Sequence, residues 1–460
     1  MTGKIQFIIA LFAGKCARLA LRIFGHNASY LPGAVALKIC PDFLGRVAKP
    51  EKIICVTGTN GKTTVSNLLE DCLRSLGKPV LSNRLGSNTA AGIAAALMRG
   101  VTARGRSKFP VAVLETDERF APLIMPRVSP SLVVVTNLFR DSIMRNAHPE
   151  FIFDFLERGI PDGTPLLLNG DDPISSRLKP ENPRKYFGIE KMPGDVSACP
   201  NLICDMRVCP ECRAELEYDY RRYHHIGRCR CTKCGWSSPE YDYAGFDADF
   251  DALTITFSAR GGADKYRLLS DSVFNAYNLV CAAGALSELG FDRADVTRAL
   301  GQAKITQSRY NAVKSGKSDI IMQMSKDRNA LASSRAFDYV SSRGGTKEII
   351  LMMNNLSDNR RWSENTCWLY DCDFEFLNRD EITRIVATGP RAPDYFLRLL
   401  LAGVPENRLR CVAEETDAPD ALEYPPGGSV YILYGTDAID LAYKVRGRAA
   451  AAAAGKAGAV

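Results

Sequence analysis

With 460 residues, the chain is long enough for two or three domains. Its hydrophobic share of 46% and charged share of 24% belong to an ordinary globular protein and exclude a fibrous or intrinsically disordered one. A net charge of +7 is mild for this length and does not by itself argue for nucleic acid. The 15 cysteines, seven of them between positions 199 and 234, do not form a secreted disulfide framework, so a reducing cytoplasm is expected.

Residues 1–48 read as a helical lead-in. The uncharged run after Lys4 is too short to span a bilayer, and Lys15, Arg18 and Arg22 follow at helical spacing. An amphipathic helix is therefore expected, not a signal peptide, either packed on the next domain or touching anionic lipid. The segment 31–41, with Pro32, Gly33 and Pro41, is expected to break the helix and lead into the first strand.

Residues 49–311 read as an α/β domain. Its centre is Cys55-Val-Thr-Gly-Thr-Asn-Gly-Lys-Thr-Thr64, which follows the apolar Ile53-Ile54 and precedes a helical pattern at Val65, Leu68, Leu69, Cys72, Leu73 and Leu76. That is strand, glycine turn, helix, the context of a phosphate loop. Gly58 and Gly61 permit the turn and leave room for an anion, with Thr59 and Asn60 between them. Backbone N–H groups at the helix start and the helix dipole attract phosphate. Lys62 offers charge to the β/γ-phosphates, and Thr63, followed by Thr64, offers a hydroxyl to Mg²⁺. Val56 stands where the general G-x-x-x-x-G-K-[ST] spacing has glycine.

Further on, 78–82 reads as a strand and 86–97 as a helix of small residues. The apolar runs 111–115 and 132–136 end in polar residues, as buried parallel strands do. Ligands of open α/β sheets sit beyond the carboxyl ends of strands, so the loop 57–64, Glu115 and Thr136-Asn137 should share one crevice. Glu115, with Asp117 and Glu118 beside it, supplies the hard oxygens that Mg²⁺ takes. Residues 166–173 form another strand ending in Asn169, Asp171 and Asp172, where an Asx turn is one reading.

Cys209-Pro-Glu-Cys212 and Cys231-Thr-Lys-Cys234 are two C-x-x-C knuckles flanking short strands at 216–220 and 223–227. Four thiolates at this spacing make a closed tetrahedral Zn²⁺ site, a zinc ribbon inserted at about 199–240. Cys229 competes with Cys231 as ligand, and Cys199 and Cys204 are spare. Inside an α/β domain the metal staples an excursion that has little core of its own. The helix pattern resumes at 271–288. Residues 312–446 form a second, Rossmann-like α/β domain with strands at 320–322, 349–353 and 430–434. The alanine-rich 447–460 is expected to be disordered.

The loop Thr57-Gly-Thr-Asn-Gly-Lys-Thr-Thr64 resembles the ATP loop of the Mur ligase superfamily, which includes folylpolyglutamate synthases. The resemblance implies a carboxylate activated by ATP as an acyl phosphate and then attacked by an amine. It also implies that Glu115 holds Mg²⁺, that Asn278, with Tyr277 nearby, faces the adenine, and that Arg309 closes the ATP domain, although Ser308 replaces an expected glycine. Thr136 to Asp141 is similar to the superfamily's Thr-Asn stretch, whose aspartate approaches metal or substrate, and 166–173 to stretches near the nucleotide.

More narrowly, Phe12-Ala-Gly-Lys15, Leu31-Pro-Gly-Ala-Val-Ala-Leu-Lys38, the ribbon with Tyr223-His-His-Ile-Gly227, and Trp368-Leu-Tyr-Asp-Cys-Asp-Phe-Glu375 resemble the MurT family, the synthetase subunits of lipid II isoglutaminyl synthase. This implies amidation of the D-glutamate α-carboxylate of lipid II to D-isoglutamine. Ammonia would come from a GatD-like glutaminase subunit in a heterodimer, at the inner face of the cell membrane. Lys62 and Glu115 would be catalytic, and Asp371 would complete the partner's Cys-His pair by orienting its histidine, with Asn365 as the rival position. The C-terminal domain would face the partner. Lys326 to Ala330 departs from the family's Lys-Asn-Pro-x-Gly stretch, which bears on the acceptor. Two other readings stay open: a Mur or folylpolyglutamate-type ligase that adds an amino acid, and a zinc-ribbon RNA-binding ATPase, for which Arg221, Arg222, Arg228 and Arg230 are few.

Overall fold

A computed structural model describes residues 2–84, 86–102, 105–140, 148–259, 262–303, 310–316, 318–325, 329–353 and 366–457. Asp141, Arg309, Asn365 and 326–328 lie outside the described residues. Two compact units divide the chain, the first within 1–305 and the second taking in 306–460 with the short segments 140–147 and 201–203.

The first unit begins with helices α1 (Thr2–Ile23), α2 (Leu31–Ile39) and α3 (Phe43–Arg46). The break expected at 31–41 is therefore a short helix. Pro32 stands in its first turn, where the missing N–H would be unpaired in any case. The sheet that follows is built from β1 (Lys52–Thr57), β2 (Val80–Ser82), β3 (Val111–Glu115), β4 (Leu132–Val135), β5 (Leu166–Asn169) and β6 (Arg184–Ile189). After an excursion carrying β7 (Leu216–Tyr223) and β8 (Ile226–Cys231), the sheet is completed by β9 (Tyr243–Asp249), β10 (Thr254–Ala259) and β11 (Gly262–Arg267). Among the described residues its order is β11-β10-β9-β6-β5-β4-β1-β3-β2. All pairs from β2 through β9 are parallel, and β10 and β11 add an antiparallel edge. β4 and β5 are buried at every position, as strands covered on both faces must be. The strand order turns at β1, flanked by β3 and β4, so the loop after β1 opens at a switch point.

Helices α4 (Lys62–Ser75), α5 (Ala90–Arg99), α6 (Ala121–Val128), α7 (Pro149–Gly159), α8 (Val273–Glu288) and α9 (Arg293–Gln302) complete this unit. The ribbon is the β7–β8 hairpin, and β6 and β9 pair directly across it, with Phe187 opposite Tyr243. His224 and His225 were expected inside a strand but form its turn, with His224 at φ 48°.

Among the described residues the second unit holds a six-stranded sheet of order β12-β13-β17-β14-β15-β16. Its strands are β12 (Tyr310–Ser315), β13 (Ser318–Met324), β14 (Lys347–Met352), β15 (Ile382–Thr388), β16 (Leu409–Val412) and β17 (Ser429–Tyr434). All its pairs are parallel except the β12–β13 hairpin. Successive residues of β14 enter opposite cores: Ile349 and Leu351 join Phe337, Trp368 and Phe374, while Ile350 and Met352 join Val445 and Ala449. Helices α10 (Ala330–Ser342), α11 (Ala392–Leu401) and α12 (Ile439–Ala457) cover it. The tail expected to be disordered is thus helical to Ala457. Alanine has the best helix propensity, and Ala449 and Ala453 bury against the sheet.

Candidate active site and metal centre

The loop after β1 is held open by two glycines in left-handed conformations, Gly58 at φ 117° and Gly61 at φ 88°. A Cβ on Gly58 would lie 2.4 Å from Thr136 Oγ1, and one on Gly61 would lie 2.3 Å from Asn278 Oδ1. The end of β4 straps the loop in place. Thr59 N donates to Asn137 O at 2.7 Å, Asn60 N to Asn137 Oδ1 at 3.0 Å, and Thr136 Oγ1 to Asn60 O at 2.7 Å. The Thr136-Asn137 tip thus serves the loop's shape directly. Asn60 Nδ2 is buried without a hydrogen-bond partner among the described residues.

Lys62 opens α4 and folds back over the loop, donating to Gly58 O and reaching Glu118 Oε1 at 2.7 Å. Burial works against its charge, but the Glu118 carboxylate and its hydrogen bond outweigh that and hold Lys62 above the usual lysine range. Glu115 ends β3 beside Val56, and its Oε1 accepts from Asn88 Nδ2 at 3.1 Å. Asp117 is spent as a cap, accepting from Arg119 N at 3.1 Å. The three carboxylates at this strand end therefore differ: Glu118 pairs with the lysine, Asp117 shapes the turn, and Glu115 is half-buried at the crevice. Thr63 and Thr64 follow in the first turn of α4, Thr63 exposed. A glycine cradle that any Cβ would fill, helix N–H groups and one lysine suit a nucleotide phosphate. The Thr63 hydroxyl and Glu115 carboxylate suit Mg²⁺.

In the ribbon, the Sγ atoms of Cys209, Cys212, Cys231 and Cys234 all lie within 4.8 Å of one another, with Cys209–Cys234 at 3.5 Å and Cys212–Cys231 at 3.4 Å. Four thiolates around Zn²⁺ stand roughly 3.8 Å apart, so the donor set fits a closed site. Each knuckle turns through a left-handed residue, Arg213 at φ 62° and Gly235 at φ 79°. Cys229 lies apart from the four. Its N–H donates to Ser238 Oγ at 3.0 Å, and burial pushes its thiol up to about 11. Cys231→Ser should therefore lower bound zinc below one ion per chain, while Cys229→Ser should leave it unchanged. Metal analysis of the purified variants by plasma mass spectrometry checks this.

Two buried aspartates after β5 dock the ribbon on the sheet. Asp171 Oδ2 accepts from Arg222 Nη1 at 3.0 Å, from Tyr277 OH at 2.5 Å and from Ile189 N at 3.0 Å, and its Oδ1 accepts from Tyr241 OH. Tyr277 precedes Asn278 on α8, so a chain of bonds runs from the ribbon strand β7 to the residue beside Gly61. Asp172 bonds Leu138 N at 2.7 Å and pairs with His225 Nε2 at 3.3 Å. Burial opposes both charges, yet the pairing holds Asp172 below and His225 above their usual ranges. The sequence shows these aspartates only as a strand end. Their partners lie some 50 to 100 residues away, out of reach of any local pattern. Two of the ribbon's arginines are committed as well: Arg222 is 2% exposed, and Arg228 pairs with Glu240 at 2.9 Å. Neither forms the free basic surface that an RNA-binding reading needs.

Within the second unit, Asp371 ends the turn Cys367–Asp371 and meets Arg140 Nη1 at 3.4 Å, both side chains half-buried. The turn is clamped from α11 by Arg398, which donates to Leu369 O at 3.0 Å and Cys372 O at 2.8 Å and grips both Glu375 oxygens at 2.9 Å. Sequence reasoning missed Arg398. Its only local signal is a charged residue on the apolar side of an amphipathic helix.

The family model described as MurT ligase C-terminal matches residues 327–438. The chain is 32% identical over 401 residues to the lipid II isoglutaminyl synthase (glutamine-hydrolyzing) subunit MurT of Staphylococcus aureus strain COL, covering 86% of this chain and 88% of that one. Among solved structures it is similar to a pseudomurein peptide ligase type C from Methanothermus fervidus, with TM-score 0.66, 19% identity, and coverage of 88% of this chain and 80% of that one. It is also similar to MurF from Acinetobacter baumannii, with TM-score 0.60, 16% identity, and coverage of 90% and 80%. These two likenesses show the fold. Similarity to a known subunit along most of both sequences places the chain in the MurT family.

Proposed function

We propose that this chain is the synthetase subunit of a lipid II isoglutaminyl synthase, converting the D-glutamate α-carboxylate of lipid II to the amide in peptidoglycan synthesis. The observation that carries the reading is the 32% identity to the Staphylococcus aureus subunit along 86% of this chain. The glycine loop holds the ATP phosphates, with Asn278 beside it toward the base. Lys62 leaves Glu118 and takes the β/γ-phosphates. A carboxylate oxygen of the acceptor attacks the γ-phosphorus and ADP leaves. Ammonia then attacks the acyl carbon, loses a proton and expels phosphate. Thr63 and Glu115 hold Mg²⁺, which when bound neutralises charge on the phosphates. Cys209, Cys212, Cys231 and Cys234 hold Zn²⁺, whose part is to fold the ribbon. Ammonia comes from a GatD-like glutaminase subunit, whose histidine Asp371 orients, once free of Arg140. The reaction takes place in the cytoplasm at the inner face of the membrane that carries the substrate.

The test is the chain alone with lipid II, ATP, Mg²⁺ and a high concentration of ammonium, followed by mass spectrometry. A carboxylate-to-amide mass change is expected, since free ammonium bypasses the glutaminase. An adduct formed with an amino acid and none with ammonium would overturn the reading in favour of an amino-acid ligase.

A further inference from the structure

Helix α1 has two opposite faces. One is packed: Ala10 and Leu11 are buried, and the Phe7 ring sits 5.4 Å from that of Phe43. A Cβ on Gly14 would lie 2.9 Å from Pro32 O, so the helix also lies close against α2. The other face carries Ile5, Ile8, Ile9, Phe12, Leu19 and Ile23, each between 53% and 72% exposed, with Phe24 just beyond at 75%. With 3.6 residues per turn these six fall in one continuous stripe, opposite the packed residues. Side chains of this size normally face a core, and an apolar stripe along a whole helix marks an interaction surface.

The flank of the stripe is basic. Lys4, Lys15, Arg18 and Arg22 share one side of α1 by the same period, and α1 contains no acidic residue. Arg99 on α5 joins them. Burial draws Arg18 below its usual range, and the charges of Arg22 and Arg99 lower it further. Lys15 is lowered by burial and then by Lys108 and Arg18. Lys15 is held by Val101 O and Thr102 O, and Arg99 by Ser82 O with Glu70 near it, but Arg18 and Arg22 repel one another and gain from an external anionic partner. At about 33 Å, α1 has the length of a bilayer's apolar core. Yet none of the helices among the described residues is long and apolar enough to cross a membrane. A helix with an apolar face, a basic shoulder and no acid lies in the membrane plane.

We propose that α1 docks the protein on an anionic phospholipid surface, with Ile5, Ile8, Ile9, Phe12, Leu19 and Ile23 entering the acyl boundary and Lys4, Arg18 and Arg22 meeting headgroup phosphates. This rests on the proposed function for its purpose, because it holds the synthetase where a lipid-linked acceptor lies. The docking itself is measured without any reaction.

Flotation with vesicles of phosphatidylglycerol and phosphatidylcholine in equal parts is the experiment, with phosphatidylcholine vesicles as the comparison. The full chain is expected to float with the anionic vesicles, and high salt should weaken this. The double variant Ile8→Glu/Phe12→Glu, changed only at exposed positions, should bind at least about 10-fold less, because it loses two buried apolar side chains and gains two like-signed charges. Arg18→Glu/Arg22→Glu should bind the anionic vesicles less and leave any phosphatidylcholine binding unchanged. All should amidate a water-soluble, lipid-truncated acceptor equally. No flotation of the parent chain, or flotation that the variants do not alter, overturns the proposal. So does a parent dimer that Ile8→Glu/Phe12→Glu converts to monomer, since a second copy then covers the stripe. If docking succeeds while the soluble acceptor stays unchanged by the parent chain, the assigned reaction fails and the docking stands.

Discussion

Lys62→Ala should lower amide formation by a factor of about 10²–10³ or more, as expected when one fixed positive donor is withdrawn from a charge developing at phosphate. The loss should appear in kcat when ammonium replaces the glutaminase, so that it cannot be assigned to coupling between subunits. Lys62 also neutralises Glu118, whose side chain is 6% exposed, so the single variant carries an uncompensated buried carboxylate. Lys62→Ala/Glu118→Gln separates the two effects: stability should return and activity should not. If the double variant regains activity, Lys62 serves only as the partner of Glu118. The pH dependence has a definite sign. Lys62 is held above its ordinary value of 10.5, so its ammonium persists throughout the neutral range. Its stabilising contribution is complete below 10.5 and lost as pH rises through the folded value. A change in rate between about pH 6 and 9 must therefore come from other groups.

Asp171→Ala should be the most damaging substitution outside the loop. It strips a fully buried acceptor from Tyr241, Tyr277 and the Ile189 N–H, and leaves the Arg222 guanidinium, 2% exposed, without its main counter-charge. Removing one partner of such a pair costs about 3–5 kcal/mol, which for a chain of this size lowers Tm by about 3–5 °C. Asp171→Asn keeps an acceptor but not the charge, and should fall between the two. Calorimetry with zinc content measured in parallel checks the origin of the loss. A fall in Tm at unchanged metal content puts it in the docking of the ribbon, and metal lost in proportion puts it in the knuckles. Because Tyr277 adjoins Asn278, weaker nucleotide binding should accompany the first outcome.

What could be read from the sequence was what is local. The glycine loop after β1 shows itself because strand, glycines, lysine and helix follow one another within the chain. The four-cysteine cluster shows because two C-x-x-C pairs already supply four thiols, as many as a tetrahedral metal takes. Strands β3, β4 and β14 declare themselves through the apolar runs 111–114, 132–135 and 349–352. What stayed hidden depends on distant partners. Glu118 was legible as a neighbour of Glu115, but its bond to Lys62 needs the packing of α4 against the end of β3. Asp171, Arg222 and Tyr277 meet only once ribbon and sheet are folded. Arg398 becomes a clamp only when α11 covers the 367–371 turn. Two local readings failed for physical reasons: Pro32 suited a first helical turn where a break was expected, and an alanine tract with a buried face made a helix where a free tail was expected.

Phe187 and Tyr243 are neighbours in the sheet although the whole ribbon separates them in the chain. Their pairing must await the return of a long excursion, and such a search is slow even though its equilibrium cost rises by only about 0.6 kcal/mol for each doubling of length. A ribbon already gathered around the proposed metal and seated on Asp171 and Asp172 would shorten that search. With zinc held by the four cysteines as proposed, metal supply should govern how fast the chain reaches its folded form as well as how firmly it holds it. During synthesis without zinc, the unpaired edge of β6 would stay open to other chains for longer, and aggregation is the expected fate of that delay.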